Sequence, residues 1–303
     1  MKLGFVTACL PAWDLGRLGD FAKNNGYSAL EVAAWPALGN RPFTASHIDV
    51  DNVDVATVDR LRSDGVEISS LAFMDNPLDP NPSVRADMHA HLHKVIDAAA
   101  AIGCPTVGAF VGRNPNLSIA NSLKEAEEVF KPFVDHAGQN NIKIIIENCV
   151  MEGWFPDIGV GNLAYSPELW EWMFSLGLYL NFDPSHLTWI GVDPVVAVKP
   201  YVDRIPHAQA KDIQLFEDIR NKYGFFGRVM ERPSDPWNMA WWRYRVPGLG
   251  QVDWTRLIDA LYEGGFNGVL SVEHEDPVWG GTEDKIGVGL QIAERTLKPH
   301  LVR

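Results

Sequence analysis

Short apolar, β-branched runs alternate with amphipathic segments along the chain. The runs are Leu3–Thr7, Ala29–Trp35, Glu67–Phe73, Thr106–Val111, Lys143–Glu147, Leu178–Asp183, Ile205–Lys211 and Gly268–Glu273. Each has strand length, and several are almost continuously apolar, as strands covered on both faces of a parallel sheet should be. Between them apolar positions recur at helical spacing over 14–25, 55–64, 84–102, 121–139, 166–176, 192–203, 253–264 and 281–298. Helix-start signals stand at Asp14, Ser83, Ser166-Pro167-Glu168 and Asp253. Strand and helix alternate in units averaging about 38 residues, which predicts an α/β chain folded as a single (β/α)8 TIM barrel over residues 1–303. A doubly wound parallel sheet is the alternative architecture.

Two connections are much longer than the usual few residues: Pro36–Asp54 after the second strand and Asp212–Val252 after the seventh. The second carries Phe225, Phe226, Trp237, Trp241, Trp242 and Tyr244 with Arg243 and Arg245, a mix suited to folding over an active site and excluding water. If Trp241–Arg245 is extended, Arg243 and Arg245 share one face and Trp242 and Tyr244 the other. One of these sets is expected to meet substrate, so Trp242, Arg243 and Arg245 are candidate substrate contacts, with His47 from the first long loop.

Composition narrows the partners. Against 39 acidic residues there are 26 basic ones, a net charge of −13 that repels phosphate backbones and anionic headgroups, so neither nucleic acid nor a membrane surface is expected. No 18-residue apolar run and no signal-like opening segment occurs, and Cys9, Cys104 and Cys149 lack CxxC spacing; a cytoplasmic chain without disulfides is the expectation. His89, His91 and His93 look like a metal cluster on paper but lie within the third helix, where i and i+2 face apart; a solvated helix face is expected.

In a TIM barrel the chemistry sits where strands end at their C-terminal side. The fifth run ends on Glu147, the sixth on Asp183 with His186 three residues on, and the eighth on Glu273. Alternation puts His207, Gln209 and Lys211 on one face of the seventh. Converging carboxylates repel one another unless a cation sits among them, so Glu147, Asp183, Glu273 and the Gln209 amide oxygen are candidate ligands of one divalent ion. An all-oxygen set favours Mn²⁺, with Mg²⁺ or Co²⁺ as alternatives, over zinc.

These motifs resemble the xylose isomerase-like superfamily of sugar isomerases and epimerases, which also includes family 2 abasic-site endonucleases. The resemblance rests on the strand-five Glu147, Asp183-x-x-His186, Lys211-Asp212 and Val272-Glu273-His274, and it spans essentially the whole chain. It implies that one metal is held by four strand-end residues and that Glu147 and Glu273 exchange a proton with the carbon beside a carbonyl. The chain departs from the family at strand seven, where a metal-binding histidine is usual and Gln209 stands; Gln209 is preferred as ligand and His207 as substrate contact, with the alternative assignment open. The extra histidines of the DNA-repair branch are missing from Phe73-Met74-Asp75 and Phe110–Arg113.

The expected activity is therefore metal-dependent proton abstraction beside the carbonyl of a sugar, keto-sugar or cyclitol, with His186, His207 and Lys211 as further catalytic candidates. A lyase using the same opening step on a 3-keto-glycoside is the first alternative, since the scaffold also resembles the larger subunits of C-glycoside deglycosidases. A silent sugar-binding subunit is the second. A homo-oligomer, or a hetero-oligomer with a small partner subunit, is the expected assembly.

Overall fold

The structure, a computed structural model, describes residues 1–36, 45–155, 159–228, 230 and 238–301. Eight parallel strands close into a barrel: β1 (Lys2–Val6), β2 (Ala29–Ala33), β3 (Glu67–Ala72), β4 (Thr106–Ala109), β5 (Lys143–Glu147), β6 (Tyr179–Phe182), β7 (His207–Ala210) and β10 (Val269–Val272), with β10 pairing β7 on one side and β1 on the other. The TIM barrel is as the hydrophobic pattern predicts. Around it lie α1 (Leu15–Asn24), α2 (Val55–Ser63), α3 (Pro82–Ile102), α4 (Ile119–Gln139), α5 (Pro167–Ser175), α6 (Pro184–Trp189), α7 (Pro194–Val198), α9 (Trp254–Glu263) and α10 (Glu283–Leu297). Among the described residues, no helix is long and apolar enough to cross a membrane.

The differences from the pattern are local. Asn81, not Ser83, caps α3, accepting from the Ser83 and Val84 amides, because Pro82 takes the first helical position. The segment expected as one helix over 192–203 divides into α7 and a 3₁₀ turn over Lys199–Arg204, with Pro200 inside the break. A short helix, α6, starts immediately after Asp183, whose side chain caps it.

The long connection after β7 has its own structure. β8 (Asp212–Leu215) pairs antiparallel with β9 (Trp242–Arg245), and α8 (Glu217–Tyr223) lies between them; Trp237 falls outside the described residues. Asp212 anchors this hairpin. Fully buried, it accepts from the amides of Ile213 (2.8 Å), Val252 (3.0 Å) and Gly248 (2.9 Å) and from Trp254 Nε1 (3.0 Å). Gly248 supplies the positive φ of 92° that turns its N–H onto the carboxylate. Asp212→Ala would strand four donors, three of them backbone, and should lower unfolding free energy by about 3–5 kcal/mol in urea titration. A loss under about 1 kcal/mol would contradict this role.

Candidate active site

The barrel mouth gathers the predicted carboxylates. Oxygens of Glu147, Asp183 and Glu273 lie within 4.8 Å of one another. Glu147 and Asp183 are buried and Glu273 half-buried. Asp183 is held from two sides: Asn148 exchanges hydrogen bonds with its peptide (2.7 and 2.8 Å), and its Oδ1 accepts from the Ser185 amide at 2.8 Å. That leaves Oδ2 for the cluster.

Lys211 enters the same space. Its Nζ is 2.8 Å from Glu273 Oε2, 3.1 Å from Glu275 Oε2, 3.3 Å from Asp183 Oδ2 and 4.0 Å from Glu147 Oε1. Burial alone would push this ammonium down, but the carboxylates outweigh it and hold its pKa well above the usual lysine value. One positive charge faces four carboxylates, so the cluster keeps a deficit of cation. Burial raises the Glu147 carboxyl to about 7 and the Glu273 carboxyl well above its ordinary value, although Lys211 opposes both shifts.

His186 Nε2 is 3.0 Å from Glu147 Oε1 and 3.4 Å from Asp183 Oδ2, and Nδ1 is 3.0 Å from the Tyr244 hydroxyl. Burial pushes its pKa down to about 3, keeping the imidazole neutral at ordinary pH. Glu152, in the connection after β5, was not anticipated from sequence. Both its oxygens are buried without a hydrogen-bond donor, and burial raises its carboxyl to about 7.

Deeper in the barrel, the alternation along β7 sets successive layers. His207 lies at the base, with Nδ1 2.9 Å from Asn181 Oδ1 and Nε2 3.1 Å from Ser69 Oγ. Both ring nitrogens are used there and the side chain is buried, so the structure does not bring His207 to the mouth as the proposed substrate contact. One layer up, Gln209 Nε2 donates to both Glu31 oxygens (3.3 and 3.4 Å), and its Oε1 is buried without a donor. Glu31, also missed in sequence, is fully buried, and burial raises its carboxyl to about 8.

The other predicted contacts lie elsewhere. Arg243 and Arg245 converge on Gln214 Oε1, and Arg245 Nε pairs with Asp276 Oδ2 at 2.8 Å; they occupy the hairpin face opposite Tyr244. Trp242 is buried between Trp189, stacked at 5.1 Å, and Tyr244 at 4.8 Å, so neither ring face is open to a sugar. His47 bonds Thr7 Oγ1 (2.8 Å) and the Leu10 carbonyl (3.2 Å), lining a groove with Trp13 and Trp35.

The three α3 histidines do not form the solvated face expected. His89 reaches the Pro77 carbonyl, His91 the Ala34 carbonyl at 2.7 Å, and His93 the His136 ring. His91→Ala removes this contact and an edge against Phe73 at 4.6 Å, away from the Glu147, Asp183 and Glu273 cluster; it should cost about 1 kcal/mol of stability and leave turnover within about twofold. A tenfold loss in steady-state rate would contradict that assignment.

A hard divalent ion fits the donors present. A six-coordinate ion with metal–oxygen bonds of about 2.0–2.6 Å gathers its ligand oxygens within roughly 5 Å of one another, as these carboxylates are gathered. Asp183 Oδ2, in ion-pair contact with Lys211 but without a hydrogen bond, and Gln209 Oε1 are buried acceptors of the kind a cation would satisfy.

Residues 20–295 match the model of the xylose isomerase-like TIM barrel. The chain belongs to that family. Within the family's reach, it is 25% identical to the uncharacterized protein YfiH of Bacillus subtilis, over 91% of this chain and 93% of that one. It is 31% identical to an inosose dehydratase of Clostridium tetani, over 46% of this chain and 43% of the relative. A D-psicose 3-epimerase from Clostridium cellulolyticum shares its fold, with a TM-score of 0.71 over the whole of both chains at 14% identity.

Proposed function

We propose that this member of the xylose isomerase-like family is a divalent-metal-dependent enzyme that removes a proton beside the carbonyl of a keto-sugar or cyclitol, in the manner of a sugar isomerase or epimerase. The observation that carries the reading is the buried Glu147, Asp183 and Glu273 cluster at the C-terminal mouth, left short of positive charge by Lys211 alone.

Glu147, Asp183, Glu273 and the Gln209 amide oxygen would hold the metal, with Mn²⁺ preferred for an all-oxygen set. When bound, it would polarise the substrate carbonyl and stabilise the negative charge that develops on that oxygen. Glu147 and Glu273 would then take and return the proton. Lys211, beside Glu273, supplies a fixed cation and a proton donor. Glu152 offers two unpaired acceptors to substrate hydroxyls.

A lyase that eliminates water after the same abstraction is the second reading. It is favoured by the local similarity to an inosose dehydratase and by Lys211, a protonated amine beside the carboxylates that could hydrogen-bond a departing hydroxyl. Elimination of an aromatic aglycone from a 3-keto-glycoside is less favoured, because Trp242 is buried against Trp189 and Tyr244. Incubating Mn²⁺-loaded protein with ketohexoses, 3-keto-glucosides and inososes separates these chemistries. An epimer or isomer of unchanged mass supports the first, and loss of 18 mass units with enone absorbance supports the second. Turnover of none of these substrates would count against both.

A further inference from the structure

The long connection after β7 carries a surface that the barrel does not use. No residue of α8 is buried, although a helix of seven residues is marginal in water on its own. Ile219, Arg220 and Tyr223 rest half-buried against the body, whereas Asp218, Asn221 and Lys222 project outward at helical spacing. Glu217 is engaged by an ion pair with Arg220, which also lies over the Trp241 ring at 5.5 Å. Just past the helix, Phe225 is 43% exposed, Phe226 67% and Met230 97%. Single exposed apolar side chains are ordinary, but the two exposed phenylalanines among the described residues both fall here, edge to face at 5.6 Å.

This patch has a rigid base. Phe225 stacks on Trp189 at 5.5 Å and 23°, and its carbonyl accepts from Trp241 Nε1 at 2.9 Å. Trp189 stacks in turn on Trp242 at 5.1 Å, and it belongs to α6, the helix that Asp183 caps. An aromatic anchor held on a preformed base and ringed by charge has the anatomy of a protein interface, with an apolar centre and a polar rim.

Charge selects the occupant. The chain carries −13, so two copies repel across most of their surfaces, yet residues 217–230 hold two acidic and three basic side chains. The outward face of α8 is also complementary to itself. Asp218 and Lys222 stand one turn apart, so a second copy packed antiparallel, about a two-fold axis near Asn221, sets each Asp218 against the other copy's Lys222. The same arrangement carries each Phe226 past the first turn of the opposite helix, toward the half-buried Leu215 and Phe216.

We propose that this face is the contact of a homodimer, in which α8 packs antiparallel on α8 of a second copy, with Phe226 as the apolar anchor and the Asp218–Lys222 pairs as its rim. Through Phe225 and Trp189 the contact braces α6 and the wall of the barrel mouth that it forms.

The test is sedimentation velocity of the full chain at micromolar concentrations, where the wild type should be a dimer. Phe226→Ala removes the anchor and should raise the dissociation constant at least about tenfold, with the circular dichroism of the wild type retained. Asp218→Lys and Lys222→Asp each set like charges against one another and should weaken the dimer by a similar factor. Mixed in equal amounts, these two variants should recover it, because the lysines of one copy then face the aspartates of the other. A wild-type chain that stays monomeric overturns the proposal, whatever else the patch binds. A dimer that survives Phe226→Ala and both charge variants overturns this face as its interface. Failure of the two charge variants to pair when mixed overturns the antiparallel packing of α8.

Discussion

Glu147→Gln and Glu273→Gln are each expected to lower turnover by at least about 10²-fold, the lower bound for losing a positioned acid–base group. An amide keeps the size and one ligating oxygen but cannot accept the proton. Both substitutions also remove negative charge from a crowded, buried cluster. Because burial already disfavours the charged form of each carboxyl, the variants should fold. Lys211 retains three of its four carboxylate partners in either variant. Thermal melts of the metal-free proteins should show midpoints no lower than wild type, separating lost chemistry from lost structure. Wild-type rates in a properly folded Glu273→Gln protein would remove the proton-transfer role.

Metal removal is expected to have a comparably large effect. Chelation should abolish turnover, Mn²⁺ should restore it, and Mg²⁺ or Co²⁺ should restore part of it, with zinc the poorest because the donors are oxygens. The metal-bound fold should also melt higher, since an ion that binds only the native state adds stability with the logarithm of its concentration. The sign of the pH effect follows from Glu147. Its carboxyl is raised to about 7 without metal, so below that pH a proton occupies a ligand, and apparent metal affinity should fall as pH drops from 8 to 6. Calorimetric titration at several pH values checks this; affinity rising toward pH 6 would contradict it.

Much of this site could be read from the chain because carboxylates ending apolar runs stand out. Glu147 after Ile144-Ile145-Ile146 is unexplained by packing, and Asp183 and Glu273 follow the same logic. Glu31 does not end its run but stands mid-strand within Ala29-Leu30-Glu31-Val32-Ala33, so a rule that looks only at strand ends passes over it. Gln209 and His207 share the predicted face, but alternation gives direction and not depth, so it did not separate the layer at the mouth from the one at the base.

The long loop shows the limit more sharply. Period-two alternation correctly separated Arg243 and Arg245 from Trp242 and Tyr244, but which face turned inward depended on contacts made across the fold. Gln214 and Asp276 take the arginines, while Trp189 and His186 take the aromatic face. Glu152 gave no signal, because one glutamate in an irregular segment has no period to violate.

The central claim is metal-dependent removal of a proton beside a carbonyl, and solvent exchange observes that step whatever product follows. Metal-loaded protein would be incubated in D₂O with keto-sugars and inososes, the metal stripped, and the substrates read by NMR and mass spectrometry. The account predicts deuterium at the carbon next to the carbonyl, abolished by chelation and by Glu273→Gln. Product formation with no deuterium from solvent at that carbon, or equal exchange without metal, would contradict it.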